Sequence, residues 1–320
     1  MSQLERCFWN ASEKRLRAGW RLALQLALNL GGAAVFAALV VPHTPLDRWP
    51  RLAREAVGYP VLLAITLFSV WVAGRFVDRR AWRDFGLVLT QAAWWADFGA
   101  GLAVGFVLVA LVAANAAALG VIRLELSFTS GIAGLAFPAA ALLAAVGYIA
   151  AGFLEELARA YQVRNLFEGL SGTRLGLRGA ALAATCGAAL VSVAMHSGAA
   201  AFILFVFVSM SVQGLFYLFT THTALVTGYH VAWDFTLATL FGIEALTQAE
   251  YTGLFTPRLG EVAQMSASGI HIAHYPLLVM LALAAAALQV AAWLALLGWV
   301  RWRMGDVRVH AEMARPSLLS

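Results

Sequence analysis

Charge is what this chain has least of. Only 12% of its 320 residues are Asp, Glu, Lys or Arg, about half the share of a typical soluble domain, while 62% are hydrophobic. With a mean hydropathy of +0.78, that scarcity excludes a soluble globular protein. Long polar stretches are missing too, which excludes a second, soluble domain. Cys7 and Cys186 are the only cysteines and lie far apart, so neither a disulfide framework nor a CxxC redox motif exists. HExxH, GxSxG, P-loop and GxGxxG motifs are all absent, so a soluble-type zinc protease, a serine elbow and nucleotide cradles find no support. The net charge is +5 and almost entirely arginine. In a soluble protein that would suggest nucleic acid. Here the arginines gather at the ends of apolar runs, the pattern of membrane topology and anionic lipid contact, so lipid is the expected partner and nucleic acid is not.

What is present is a series of apolar runs. A bilayer crossing takes roughly 20 residues, and about eight such runs can be drawn: Leu22–Val41, Ala56–Gly74, Phe98–Val121, Leu135–Leu154, Leu177–Met195, Ala200–Phe219, Ala224–Leu246 and Leu277–Val300. The fourth continues as helix to about Leu170. The expected class is all-α, a polytopic transmembrane helical bundle. Residues 1–19 read as an N-terminal cytoplasmic segment, 20–303 as the membrane domain and 304–320 as a C-terminal cytoplasmic tail. The polar stretch Thr247–Tyr275 reads as a surface loop. With eight crossings, one face collects sixteen basic residues and the other five, which puts both termini in the cytoplasm.

Against this background three polar clusters stand out: Glu155-Glu156, His196, and His230 with Asp234. An ionisable group in hydrocarbon costs roughly 2.5–3.5 kcal/mol on insertion scales, so it is seldom kept without a task. Adjacent helical residues point about 100° apart. One of the two glutamates can therefore face a cavity while the other holds a cation, and Arg159 is within helical reach of both. His230 and Asp234 are four apart, on one helix face, where a carboxylate can fix a histidine tautomer, or the pair can engage a carbonyl or a metal. Each cluster also has a plain structural reading: a wet helix end for the glutamates, a satisfied buried imidazole for His196, an interhelical polar pair for His230 and Asp234. Weaker candidates are Asp97 and Asn115 as packing or capping groups, His222 at a helix end facing water, His271 and His274 near the interface, and Ser209 and Gln213 as groups joining helices.

The order of these clusters resembles the CPBP family of intramembrane proteases, also called the CAAX prenyl protease or ABI family. Its pattern is Glu-Glu…Arg, then Phe-x-x-x-His, then His-x-x-x-Asn/Asp, each on a membrane helix. Here these are Glu155-Glu156-Leu157-Ala158-Arg159, Ser192-Val193-Ala194-Met195-His196, and His230-Val231-Ala232-Trp233-Asp234. The resemblance covers about residues 84–245. Two positions depart from it. Arg159 follows Glu155 by four residues instead of five, and Ser192 stands where the family has Phe.

The resemblance implies that Glu155 and His196 activate a water molecule, and that His230 and Asp234 stabilise the oxyanion. Glu156 and Arg159 would support the site. A divalent metal such as zinc on Glu155, His196 and His230 is compatible with these residues but not required by them. The implied substrate is a peptide or lipid-modified protein at the membrane. The arginine- and alanine-rich composition points to the inner membrane of a GC-rich bacterium. Two other readings remain: a catalytically inactive family member acting as a scaffold or immunity factor, and a proton-coupled transporter. No internal repeat supports the latter.

Overall fold

The structure is a computed structural model and describes residues 7–11, 13–198, 200–248, 250–266, 269–272 and 275–315. His274, Arg6 and the outermost parts of both expected terminal segments lie outside the described residues. The chain is a multi-pass, all-α membrane protein. Seven helices are long and apolar enough to cross a bilayer.

After a short pairing of β1 (Trp9–Asn10) with β2 (Arg15–Leu16) come α1 (Ala18–Val35), α2 (Arg51–Val72) and α3 (Ala92–Ala118). Strand β3 (Ile122–Thr129) leads to α4 (Phe137–Ser171), α5 (Gly176–Ala194), α6 (Ala200–Thr220) and α7 (Ala224–Phe235). Strands β4 (Gly253–Leu259), β5 (Ala263–Ser266) and β6 (Gly269–Ile272) precede α8 (Tyr275–Met304). The polar stretch expected as a loop is thus largely strand. β4 pairs antiparallel with β3, with Leu124 opposite Pro257, and β5 pairs with β6.

The expected crossing over Ala224–Leu246 needs correction. Helix α7 has 12 residues and passes into a π-helical turn, Thr236–Leu240, before ending. At 1.5 Å per residue this continuous helix is about 25 Å long, short of a full hydrocarbon core. It need not be longer, because it is an interior element. Its residues Ala224–Ala232 are all buried, packed between α3 and α4. Protein, not lipid, satisfies it, so the hydropathy threshold for a lipid-facing span does not apply.

The α3–α7 seam depends on missing side chains. A Cβ on Gly101 would overlap the Leu225 carbonyl oxygen, and one on Gly228 the Phe98 carbonyl oxygen. Gly101 and Gly105 form a GxxxG pair, the spacing that lets membrane helices approach backbone to backbone. In contrast, α4 is long. Pro138 opens it within its first turn, and 35 residues give about 52 Å, so it runs past the bilayer into the interface.

Polar networks lock the ends. At the far end of α4, Arg15 and Arg21 bind both Asp78, after α2, and Glu168 of α4; the Arg21 Nη1–Asp78 Oδ1 and Arg21 Nη2–Glu168 Oε1 distances are each 2.8 Å. Met313, in a turn after α8, is fully buried beside Phe167, Ala180 and Leu218. The described parts of the two terminal segments therefore meet on one face. Elsewhere Asp97 accepts from Trp299 Nε1 at 2.7 Å and lies 3.0 Å from His222 Nε2. His222, expected to face water, is instead tucked against this carboxylate with its side chain 13% exposed.

If the seam sets the position of α7, Gly228→Ala destabilises the protein by about 1–3 kcal/mol, the usual cost of overpacking. Gly99, with no atom near its would-be Cβ, tolerates Ala. Thermal unfolding in detergent that leaves both variants equal to wild type would refute this account of the seam.

Candidate active site

Three helices bring the polar clusters to one place. Glu155, Glu156 and Arg159 lie midway along α4; His230 and Asp234 lie on the α7 face turned toward it; His196 follows the C-terminus of α5. Because α4 and α7 pack directly on each other, their side chains meet without a loop to carry them, and His196 joins them from the non-helical segment after α5.

The two glutamates occupy different surroundings. Glu156 is 2% exposed and Glu155 34%. Glu156 Oε1 accepts from Arg159 Nη1 and lies 2.7 Å from His230 Nδ1. Arg159 Nη2 also comes within 3.9 Å of Glu155 Oε2. The short spacing between Glu155 and Arg159 therefore does not disconnect the arginine. From three residues after Glu156 it reaches that carboxylate directly, as helical geometry allows.

With Glu156 ionised by its arginine, His230 Nδ1–H is the donor of that hydrogen bond. The other ring nitrogen then looks outward. His230 Nε2 lies 3.4 Å from Asp234 Oδ2 and 3.9 Å from Glu155 Oε2. Two carboxylates thus converge on one imidazole nitrogen. Asp234 is therefore directed at His230.

His196 is fixed through its backbone. Its Nδ1 is 2.8 Å from the Ser192 carbonyl oxygen, which can only accept, so Nδ1 carries hydrogen; in the neutral ring this tautomer leaves the lone pair on Nε2. The residue four before the histidine contributes a carbonyl, which Ser supplies as well as Phe. Glu155, His196, His230 and Asp234 all line one cavity of about 260 Å³, ample for a water molecule and a peptide group.

The rest of the wall was not singled out as a site by the sequence. Phe202, Phe205, Val206 and Met210 of α6 form an apolar side, with Trp233 and Leu237 opposite. Phe205 and Trp233 face each other at 5.5 Å between ring centroids. Ser209 and Gln213, expected to join helices, instead bond each other along α6 at 3.2 Å and line the cavity. Gln213 Oε1 is buried and has no hydrogen-bond partner. Their signal was two polar groups one turn apart in an otherwise apolar helix. Tyr229 is pinned from behind by Gln289 of α8 at 2.8 Å. Asn115 lies elsewhere, its Oδ1 buried and unpartnered.

The set Glu155, His196 and His230 does not fit a zinc ion as arranged. Among the described residues no group of three or more His, Cys, Asp or Glu side chains is placed to hold a metal. His230 Nδ1 is already committed to Glu156, and Nε2 is shared between two acids.

Comparison with protein-family models, curated proteins and solved structures finds no match.

The buried ion pair gives a direct test. Removing one partner of such a pair is expected to cost about 3–5 kcal/mol, because the other charge is left in low dielectric. Arg159→Met should therefore destabilise strongly, and Glu156→Gln placed on top of it should recover much of the loss. Additive losses in a double-mutant unfolding cycle would mean the two side chains are not coupled.

Proposed function

We propose that this chain is an intramembrane peptidase of the CPBP type. It sits in the inner membrane of a bacterium, with both termini in the cytoplasm, and cleaves a peptide bond of a membrane-associated substrate. The observation that carries the reading is the convergence of Glu155, His196, His230 and Asp234, from three helices, on a single cavity. Ionisable groups this deep in an apolar chain are costly, and packing alone does not call for four of them around one space.

The roles follow from the hydrogen bonds. A water held between Glu155 and the lone pair of His196 Nε2 loses a proton to Glu155 as its oxygen attacks the substrate carbonyl. Negative charge then builds on the carbonyl oxygen. His230, anchored by Glu156 through Nδ1, swings its Nε2–H from the 3.4 Å contact with Asp234 to that oxygen, and Asp234 stays beside the ring as its counter-charge. Glu155 next returns its proton to the departing amine as the C–N bond breaks. One water is consumed, and a carboxylate and an amine are released. Glu156 and Arg159 touch no reacting atom in this scheme; they fix the ring of His230.

The wall of Phe202, Phe205, Met210 and Trp233 suits an apolar segment entering from the bilayer. Such a segment is a membrane peptide or a lipid-modified chain end. A general base or acid contributes typically 10²–10⁴-fold to rate. With purified protein in liposomes and candidate membrane peptides, Glu155→Ala and His196→Ala are each expected to slow cleavage at least 100-fold while folding normally. Cleavage untouched by both substitutions would sink the mechanism. A chain that binds such peptides yet never cuts them would be the inactive, scaffold-like alternative.

A further inference from the structure

The ribbon of β3 and β4 takes no part in the chemistry above, and its two faces are unlike. Arg123 and Glu125 of β3 and Arg258 of β4 take one side, because residues two apart on a strand, or opposite each other across a ladder, share a face. They are held in ion pairs that water reaches. Arg123 lies 2.5 Å from Glu261 and Arg258 2.7 Å from Glu125, and each of these side chains is more than half exposed. Ile122, Leu124 and Leu126 alternate with them and take the other side, together with their ladder partners Leu259, Pro257 and Phe255.

That apolar face starts out packed on membrane helices. Ile122 is buried in a cluster that reaches Ala116 and Ala117 at the end of α3 and Leu277 and Leu281 in the first turns of α8. Pro257 is buried, and Phe255 stacks on Phe241 at 5.8 Å. Protein therefore covers the β4 half of the face. The far end of β3 runs out beyond this cover, with Leu126 62% and Phe128 55% exposed. Phe128 sits where the ladder shifts register, at a φ of +50° that a bulky residue seldom adopts. Bulges of this kind re-aim side chains, and here the ring meets Phe137, the first residue of α4, edge to face at 5.7 Å. The exposed apolar residues are thus bracketed by span ends, α3 and α8 at one end of the strand and α4 at the other.

The backbone limits how deep this strand can lie. Among the described residues β3 pairs with β4 alone. Its other edge keeps unpaired N–H and C=O groups, which hydrocarbon does not tolerate. At the headgroup level water reaches that edge, and only side chains extend further down.

We infer that β3 lies flat on the bilayer at the headgroup level and sinks Leu126 and Phe128 into the acyl chains of the adjoining leaflet, with its charged face turned to water. The lipid surface already borne by α3, α4 and α8 continues onto the ribbon. This rests on the membrane fold and not on the peptidase reading.

The test uses the full chain carrying Cys7→Ser and Cys186→Ser, reconstituted in phosphatidylcholine vesicles. One cysteine at a time is added and labelled with a nitroxide: Leu126→Cys or Phe128→Cys on the apolar face, Arg123→Cys or Glu125→Cys on the charged one. All four positions are exposed, so each takes a label without repacking. Power saturation reads collisions with oxygen, which gathers in acyl chains, and with a water-soluble nickel chelate. Oxygen is expected to dominate at Leu126→Cys and Phe128→Cys, and nickel at Arg123→Cys and Glu125→Cys. The same reagent dominating at all four positions would overturn the placement. Low contact with both reagents at Leu126→Cys and Phe128→Cys would overturn lipid as the occupant, and dipolar broadening there as well would name a second copy of this chain in its place.

Discussion

The contact on which the site depends is the buried carboxylate of Glu156, held between Arg159 and His230. None of these three side chains is tolerable alone in a dry interior, since an unpaired charge there costs several kcal/mol. Together they answer one another, and the answer has direction. Arg159 and Glu156 share α4, so their pairing is local. His230 is on α7, so its bond to Glu156 sets how the two helices face each other. It also selects which imidazole nitrogen looks into the cavity. The role proposed for His230 thus depends on a carboxylate that lies behind the ring, away from the cavity.

That contact requires α7 to be in the interior, and the interior has a geometric condition. Gly101 and Gly105 on α3 and Gly228 on α7 let the backbones close up on the side away from α4. Any side chain at those positions would push α7 toward α4 and into the space the cavity occupies. A short helix buried over Ala224–Ala232, carrying His230 and Asp234 and gripped by two longer ones, is how a membrane protein can keep polar side chains out of lipid without a soluble core. The π turn that follows Asp234 fits this arrangement, since such irregularities are common where a helix must re-aim side chains near a site.

Much of this was legible before any coordinates. The long α4 announced itself as one apolar run continuing through Glu155-Glu156 without a breaker until Gly172. The 100° between adjacent helical residues pointed to two surroundings for the two glutamates, and they are 34% and 2% exposed. The brevity of α7 was hidden, because hydropathy reports apolarity and cannot distinguish burial against protein from burial in lipid. Strand β3 was overlooked although Ile122-Arg123-Leu124-Glu125-Leu126-Ser127-Phe128-Thr129 alternates strictly, the signature of an extended segment. It directly follows the apolar run of α3, whose hydropathy continues into its alternate positions. Ser209 and Gln213 were noticed but misdirected, since sequence spacing cannot say whether polar groups on one helix bond across to another or along the same one. His222 was placed in water because nothing in the sequence joins it to Asp97, 125 positions away.

The two charged layers are mechanically one system, because both hang on α4. From Glu155 to Glu168 is 13 residues, about 20 Å along the axis. At the lower end Glu168 is gripped by Arg15 and Arg21, which also hold Asp78 after α2. Sliding α4 by a single turn, about 5.4 Å, would pull Glu168 out of that grip and at the same time draw Glu156 away from His230. Each network penalises the same displacement, so each fixes the depth of the other. A helix of plain apolar surface in a bilayer has little to stop it shifting along its axis, for one stretch of hydrocarbon is much like the next. Charges at two heights remove that freedom, and the depth of Glu155 relative to the membrane surface follows from arginines some 20 Å away along the helix.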